Sequence, residues 1–247
     1  MTPPRTELRR LTGTVRQLPF ALGHVHLVAL PGDGFAAVDT GMPGSAPAIL
    51  EALGQLGAGP GALRQIVLTH SHIDHVGAAA ALVAATGATV LAGADDIPYI
   101  TGARPEPQAP HTPAEAALRA QIDAGLPGGA LPEREPVAVD VALHEGDTLD
   151  GWGEPVRVLH VPGHTPGGIA LHLPRSRVLF PGDLIGTVGG RVVLGPFNVA
   201  REQAEASFRR LAALDDVETV CVPHGEPLVE GARLAGRRHA GARLAVR

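Results

Sequence analysis

Short apolar runs separated by glycine, proline and polar turns make up most of this chain. Alternating or continuous apolar runs predict β-strands at residues 14–18, 24–30, 35–40, 65–69, 88–91, 137–143, 156–161, 169–173, 178–180 and 217–222. Segments with helical spacing predict helices at residues 46–56, 76–86, 114–124, 200–214 and 231–246. Because strands and helices alternate in both halves, the pattern favours an α/β (α+β) fold in which helices cover the sheets.

Two stretches rich in proline and glycine, residues 94–113 and 125–136, interrupt this alternation. A loop of this length inside a compact domain is often a lid or the wall of a pocket, and a short helix followed by a surface linker is the alternative. We expect the pocket to be lined by residues 97–100 and by residues 186–197, together with Asn198. Arg191 in the second segment is a candidate for binding a substrate carboxylate or phosphate, although an arginine in a loop is more often solvated.

The most informative polar positions lie just after the strand at residues 65–69. Four potential metal ligands, His70, His72, Asp74 and His75, fall within six residues. His70 and His72 are two residues apart at a strand end, so their side chains point the same way, whereas Asp74 and His75 fall in the turn. Because imidazole nitrogen and carboxylate oxygen both bind Zn²⁺ and similar divalent ions, such a cluster can hold two metals side by side.

Further residues of the same chemical types follow strands elsewhere in the chain. His164, in a glycine-rich turn that can approach a neighbour closely, Asp183 and His224 each come directly after a predicted strand. Collected by position, the candidates are His70, His72 and His164 for one metal, Asp74, His75 and His224 for a second, and Asp183 between them. This set leaves room for a bridging water or hydroxide, as a catalytic site requires. Asp39 also ends a strand, and it either orients a metal-bound histidine or caps the following helix.

Composition restricts the classes of function. The 247 residues, 45% of them hydrophobic, suit one domain, which we expect to span residues 1–247. A formal net charge of -5 gives no broad basic surface for nucleic acid, and 3% aromatic residues offer few rings on which bases could stack. Cys221 is the only cysteine, and no segment approaches the ~20 apolar residues of a membrane helix. We therefore expect a cytoplasmic protein that acts on a small molecule, without a membrane.

The motifs around these residues resemble those of the metallo-β-lactamase-fold hydrolase superfamily. The resemblance rests on the run from His70 to His75, the Gly-His-Thr-Pro-Gly context of His164, the Pro-Gly-Asp context of Asp183, the Pro-His-Gly-Glu context of His224 and residues 38–41. It covers nearly the whole chain and fills all seven ligand positions in order. It implies a four-layer αββα sandwich, with two mixed β-sheets packed face to face and helices outside, and a dinuclear site at one edge of the sheets.

The fold alone does not identify the substrate. Differences from the sequence patterns of individual subfamilies reduce the number of candidate substrate classes. True β-lactamases of this fold typically lack an aspartate at the position of Asp183, and flavo-diiron proteins usually have a glutamate at that of His72. Acyl-homoserine-lactone hydrolases place a tyrosine where this chain has Gly186. Glyoxalase II enzymes share all seven ligands but add a C-terminal helical domain for glutathione, where we expect a single helix. RNase Z relatives need a basic arm that is not visible in the sequence.

The ligand set and the resemblance together imply a dinuclear metal-dependent hydrolase that cleaves an ester, lactone or thioester of a small molecule. We expect two divalent ions, with Zn²⁺ favoured over iron and manganese, and a metal-bridging hydroxide as the nucleophile. Asp74 and Asp183 are the expected catalytic residues, through the metals that they hold. The alternatives are a mononuclear iron persulfide dioxygenase, which would need only His70, His164 and Asp183, a phosphodiesterase of the same fold, and a non-catalytic binding relative. The oligomeric state stays open, with a homodimer as the candidate.

The remaining histidines are interpreted as structural or surface residues. His24 and His26 alternate onto one face of a predicted strand, where packing or solvent contact is more typical than a role at the site. The same interpretation applies to five others: His111, His144, His160, His172 and His239. Cys221 is interpreted as a small buried hydrophobe.

Overall fold

A computed structural model describes residues 7–229 of the chain. The predicted helix at residues 231–246 and His239 lie outside the described residues. Seven strands form the first sheet, in the order in which they occur in the chain: β1 Arg9–Arg10, β2 Val15–Pro19, β3 His24–Leu30, β4 Gly34–Val38, β5 Leu63–Leu68, β6 Thr89–Gly93 and β7 Val141–Leu143. The pairs from β1 to β4 are antiparallel and those from β4 to β7 are parallel. The sheet is therefore mixed.

The second sheet has five strands in the order β14-β11-β10-β9-β8. The remaining strands of the chain are β8 Thr148–Leu149, β9 Val156–His160, β10 Ile169–Leu173, β11 Val178–Phe180, β12 Ile185–Val188, β13 Arg191–Leu194 and β14 Thr219–Val220. Only β11 and β14 pair in parallel; the other pairs of this sheet are antiparallel. Strands β12 and β13 form a separate two-stranded hairpin.

Within residues 7–229, six α-helices connect and cover these strands. They are α1 Ala46–Gln55, α2 Ile73–Val76, α3 Ala79–Thr86, α4 Ile97–Ile100, α5 Pro113–Gly125 and α6 Arg201–Ala212. The helix predicted from about residue 76 to residue 86 is confirmed as α3, but it begins three residues later, at Ala79, because α2 ends at Val76. The chain between them lies against Pro43 so closely that a Cβ on Gly77 would be 2.3 Å from the Pro43 Cδ atom. The short α2 contains Asp74 and His75, so the break separates the ligand turn from the covering helix.

Buried apolar side chains form three layers, which confirm the αββα sandwich. Leu27 of β3 packs in the layer with Ile49 of α1, whereas its neighbour Val28 packs in the layer between the two sheets. In the second sheet, Phe180 packs in that same inner layer, whereas Leu179 packs in a third layer with residues of α6. Because successive strand residues point to opposite faces, both sheets are apolar on both sides. Each sheet therefore has one face on the other sheet and one face on helices.

Several strands differ from the sequence prediction, and β1 and β8 were not predicted. The strand predicted at residues 137–143 is shorter and begins at Val141, since residues 137–140 approach β6 without joining the ladder fully. There the Asp140 carboxylate accepts a hydrogen bond from the Val90 N–H at 2.7 Å. The hairpin of β12 and β13 was not predicted, although Gly189 and Gly190, both with positive φ, form the two-residue turn that such hairpins favour. Among residues 7–229, no helix has the length and apolarity required to cross a membrane.

Candidate metal centre

The candidate ligands lie at one edge of the sandwich, where strands of both sheets end. Asp39 and His70 follow β4 and β5, which run in parallel in the first sheet. His164, Asp183 and His224 follow β9, β11 and β14, which share one direction in the second sheet. Because parallel strands end at the same edge of a sheet, the fold brings these distant positions together. All seven predicted ligand side chains meet there.

The seven side chains form two groups, and within each group the nearest ligand atoms lie within 4.8 Å of one another. The first group is His70, His72, His164 and Asp183, and the second is Asp74, His75 and His224. In the first group, the His72 Nδ1 atom lies 3.2 Å from His70 Nε2 and 3.0 Å from His164 Nε2. In the second, His224 Nε2 lies 3.2 Å from a carboxylate oxygen of Asp74.

Asp183 lies between the two groups and presents a different oxygen to each. Its Oδ1 atom is 3.2 Å from His75 Nε2 and 3.4 Å from His224 Nε2. Its Oδ2 atom is 3.6 Å from His164 Nε2 and 3.9 Å from His70 Nε2. Each oxygen of the Asp183 carboxylate therefore faces a different group.

The donor atoms fit a cation better than they fit one another. The His75 Nε2 and Asp183 Oδ1 atoms are buried, and neither has a hydrogen-bond partner among the described residues. Buried polar atoms are normally satisfied, so atoms of this kind that converge at one point indicate a ligand. Imidazole nitrogen with carboxylate oxygen is also the donor set that zinc, iron and manganese accept.

Asp39 contacts His75 of the second group through the ring nitrogen that does not face Asp183. Its Oδ2 atom accepts a hydrogen bond from His75 Nδ1 at 2.8 Å, and its two oxygens accept from the Thr69 N–H at 2.8 Å and the Thr69 hydroxyl at 2.9 Å. The proton on Nδ1 leaves the Nε2 atom of His75 free to face Asp183. Of the two roles considered for Asp39, the structure shows the orienting one. Its φ of 63° is a left-handed conformation that aspartate tolerates better than most residues.

Asp96 is the functional residue that the sequence did not reveal. Its carboxylate is fully buried and accepts hydrogen bonds from the Ser71 N–H at 3.0 Å, the Thr165 hydroxyl at 2.7 Å and the Gly167 N–H at 2.6 Å. It therefore joins the turn that contains His70 and His72 to the turn that contains His164. The only sequence signal was an acidic residue just after a strand, and such residues are common in ordinary turns.

The glycine-rich turn around His164 approaches its neighbours as closely as predicted. Gly163 has a φ of 129°, and a Cβ there would lie 2.1 Å from the backbone nitrogen of Ala204 in α6. A Cβ on Gly167 would lie 2.1 Å from the backbone nitrogen of Asp96. No larger residue fits either position without moving the backbone, so the two glycines fix the direction of the His164 side chain.

The other histidines have the structural surroundings expected of them, with two refinements. His24 Nε2 donates to the Gly225 carbonyl at 3.0 Å and so holds the turn that contains His224. His26 is buried between the sheets, with its ring centroid 5.4 Å from that of Phe180. The remaining described ones contact ordinary partners: His111 the ring of Phe197, His144 the Asp147 carboxylate, His160 the Pro166 carbonyl and His172 the Asp216 carboxylate. Cys221 is buried in the inner layer, as predicted.

The pKa values of the histidines shift in opposite directions in the two groups. Burial lowers the pKa of His70 and His164 and lowers that of His72 to about 3, so these three imidazoles are neutral near pH 7. Burial opposes a charge on His224 as well, but the Asp183 carboxylate outweighs it and raises the pKa of His224 to about 10. Burial also opposes ionisation of Asp74, yet His75 and His224 lower its pKa to about 2. Neutral imidazoles and ionised carboxylates are the forms that bind metals, so a cation in the second group would have to displace the proton of His224.

A cavity of about 380 Å³ opens over the two groups. It is lined by His72, Asp74, His164, Asp183 and His224 of the ligand groups, and by residues of four other segments: residues 106–109 and 111, α5, residues 185–186 and residues 195–197. The expectation that residues 97–100 line the pocket is wrong, because α4 lies against the core, where Ile100 is fully buried. Arg191 is exposed on the hairpin, and Asn198 is buried and donates to the Gly195 carbonyl, so neither lines the cavity.

A protein-family model and a related protein each match most of this chain. The model of the metallo-beta-lactamase superfamily matches residues 19–224. A probable metallo-hydrolase of Bacillus subtilis, YflN, is 30% identical over 238 residues, which are 87% of this chain and 84% of that protein.

Other proteins match this chain over shorter segments or at lower sequence identity. A hydroxyacylglutathione hydrolase of Ruegeria pomeroyi is 38% identical over 46% of this chain, and one of Cereibacter sphaeroides is 33% identical over 70% of it. The matches cover 44% and 52% of these two proteins, so the chain spans about half of their length. Among solved structures, a subclass B3 metallo-beta-lactamase of Bradyrhizobium japonicum has a TM-score of 0.66 at 23% identity, with 94% of this chain and 90% of that one covered. At this identity the similarity shows the fold alone.

Proposed function

This chain belongs to the metallo-beta-lactamase superfamily, and on that basis we propose that it is a dinuclear metal-dependent hydrolase that cleaves an ester, lactone or thioester of a small molecule. The observation that supports this most directly is the position of Asp183, whose two oxygens face two separate groups of histidine and aspartate side chains. One cation would need a single group. Two groups joined by one carboxylate favour a pair of cations.

The ligands of each ion follow from the two groups. His70, His72 and His164 would hold the first, Asp74, His75 and His224 the second, and Asp183 would contact both. Zinc is the ion that we expect, since nitrogen and oxygen donors of this kind suit it, and iron and manganese are the alternatives. When bound, such a pair supplies a hydroxide nucleophile at neutral pH and stabilises negative charge on the carbonyl oxygen.

The protein's own residues supply position and charge. Asp74 and Asp183 line the cavity and are ionised near pH 7, so they would hold the cations and leave the rest of the cavity for the substrate carbonyl. Asp39 keeps the His75 ring in one orientation, and Asp96 keeps the turns of His70 and His164 at a constant separation. These contacts organise the site in advance, which is how enzymes of this kind avoid reorganisation during the reaction.

The relatives suggest a carbonyl substrate. Several are named as hydrolases of hydroxyacylglutathione, which is a thioester. A thioester is therefore one candidate for this chain, beside simple esters and lactones. Glutathione itself is a separate question, since the chain spans about half the length of those relatives.

The test combines metal analysis with a screen of activity on one sample of purified protein. We expect two divalent ions per chain and hydrolysis of at least one member of a panel of thioesters, esters and lactones, with phosphodiesters and β-lactams included as rival classes. One iron per chain with persulfide oxidation would instead support the dioxygenase. The variant His72→Ala should lose both activity and metal, and the exposed His144→Ala is its matched control. Full activity and full metal content in His72→Ala would contradict the site.

A further inference from the structure

Helix α5 presents apolar side chains to the cavity and not to the core. Leu118 and Ile122 are four residues apart, so they lie on one face of the helix, and both line the cavity. Leu118 is 38% exposed, and the one buried residue of the helix is the acidic Glu115. A helix that faces a protein core normally buries its apolar residues. Here those residues face the space above the ligand groups.

Two further apolar residues of the cavity lie outside α5, and one of them is hydrogen-bonded to that helix. They are Ile185 and Phe197. The Phe197 N–H donates to the Glu115 carboxylate at 3.0 Å, and Arg201 pairs with the same carboxylate. Glu115 also completes a capping box with Thr112 at the start of α5. The buried Glu115 carboxylate therefore joins α5 to the segment that contains Phe197 and Arg201.

The charged side chains of these walls already have partners. Within the described part of the chain, Arg119 and Glu106 are the charged residues that line the cavity outside the ligand groups. The Nε atom of Arg119 lies 2.8 Å from the Asp123 carboxylate, and Glu106 lies 3.6 Å from Arg134. A charged substituent entering the cavity would have to compete with these pairs, whereas an apolar substituent would cover exposed side chains at no such cost.

We propose that the cavity binds the uncharged apolar acyl chain of the substrate, so that the enzyme prefers apolar acyl esters and thioesters over anionic conjugates such as glutathione thioesters. This inference rests on the proposed function and names its substrate class. In the reaction on a thioester, the bond between the carbonyl carbon and sulfur breaks, the hydroxyl of water joins the carbonyl carbon, and the remaining proton goes to the thiol. The acyl chain leaves the cavity as the carboxylic acid.

A series of thioesters tests the inference on the unmodified protein. The acyl groups are acetyl, butanoyl, hexanoyl and octanoyl, each on N-acetylcysteamine, which is uncharged, and each on glutathione. We expect kcat/KM to rise about fourfold for each added methylene until the cavity is full, because each buried methylene stabilises the bound state. For a given acyl group, the N-acetylcysteamine thioester should react at least as well as the glutathione thioester. A flat series, or a preference for glutathione that persists along it, would overturn the inference.

Two substitutions locate the effect on α5. Leu118→Asn and Ile122→Asn keep the approximate size of the side chain but make it polar, so the increase in kcat/KM per added methylene should become smaller than in the unmodified protein. Gln121→Ala is the matched control, since Gln121 is exposed on the same helix and does not line the cavity. An unchanged chain-length series in both Asn variants would contradict the proposed role of α5.

A binding measurement separates the two proposals. Calorimetry compares octanamide with acetamide, which are uncharged and need no turnover, on the protein with its native metal content. Tighter binding of octanamide without hydrolysis of any thioester would leave the apolar site in place and remove the proposed function. Hydrolysis of thioesters with equal, weak binding of both amides would keep the hydrolase and remove the apolar site.

Discussion

The ligand groups and the cavity walls above them are built in opposite ways. The ligand groups lie at strand ends, and buried carboxylates on neighbouring turns hold them, as Asp39 holds His75 and Asp96 joins the turns of His70 and His164. The walls come from α5 and the loops near it, where Glu115 is the one buried residue of the helix and apolar side chains remain partly exposed.

This difference separates chemistry from selectivity. A metal site needs its ligands held in a narrow geometry, so the surrounding hydrogen bonds leave each ligand little freedom. A cavity wall that contacts only part of a substrate must match that part in shape and polarity. Its residues can change without disturbing the metal ligands. Substitutions in the two regions should therefore have different consequences for metal content, stability and rate.

The largest effect is expected at the carboxylate that the two groups share. Asp183→Asn removes the negative charge that faces both groups, so kcat/KM should fall by about a thousandfold and the metal content should fall with it. The measurement is activity and metal analysis on one sample. Asp123→Asn, in the wall helix, should keep its full metal content. If both variants lost the same amount of metal, the ligand groups and the cavity wall would not differ in their effect on metal binding.

The next effect is expected at the buried carboxylate that joins two ligand turns. Asp96→Ala leaves three buried donors without an acceptor, so the unfolding free energy should fall by about 3 kcal/mol and metal affinity by about 10–100-fold. Urea unfolding and competition with a chelator measure the two quantities. Glu115→Gln is the comparison in the wall, and we expect its metal affinity to match that of the unmodified protein. A loss of affinity in that variant would show that the wall supports the ligands after all.

A pH effect should mark the buried layer beneath the ligand groups. Burial lowers the pKa of His26 to about 3, below its ordinary value of 6.5. Between these values the unfolded chain binds a proton at His26 and the folded protein does not, so lowering the pH from 6.5 towards 3 should reduce the unfolding free energy by about 1.4 kcal/mol per pH unit from this group. The metal-free His26→Gln protein should lack this part of the slope, whereas the exposed His144→Gln should keep it. Equal slopes in all three proteins would contradict the burial of His26.

The smallest effect is expected in the wall itself. Leu118→Ala should change the unfolding free energy by no more than about 0.5 kcal/mol, because Leu118 is 38% exposed and packs little against the core. Leu171→Ala, between the two sheets, should lose about 2–5 kcal/mol because it leaves a cavity in a fully buried layer. Urea unfolding of both variants measures the difference. A similar cost at both positions would mean that α5 belongs to the core.

Much of the fold and the ligand set could be predicted because their signals are local. The period-two and helical patterns indicated most strands and helices, and the run from His70 to His75 lies within a single turn. His164, Asp183 and His224 were identifiable because each combines a ligand side chain with a strand end and a glycine or proline. That these residues bind metals stays a prediction, which the proposed metal analysis tests.

The contacts that were missed join positions distant in the chain. Asp96 accepts from residues 71 and 167, and Glu115 accepts from residue 197, and no periodicity records which distant donor a carboxylate will meet. The cavity wall was placed in the wrong segment for the same reason, since α4 and α5 both carry apolar residues and only packing decides which of them faces the core.

The sequence by itself determined which segments form strands and helices, and it determined the chemical types of the residues at the strand ends, because both depend on neighbours a few positions away. The tertiary structure decided that seven of those residues converge and that Asp183 faces both groups with different oxygens. It also decided that, among residues 7–229, no segment covers the apolar side chains that α5 presents to the cavity. Those facts depend on how two sheets and their turns pack, which is set by burial summed over the whole chain and not by any local pattern.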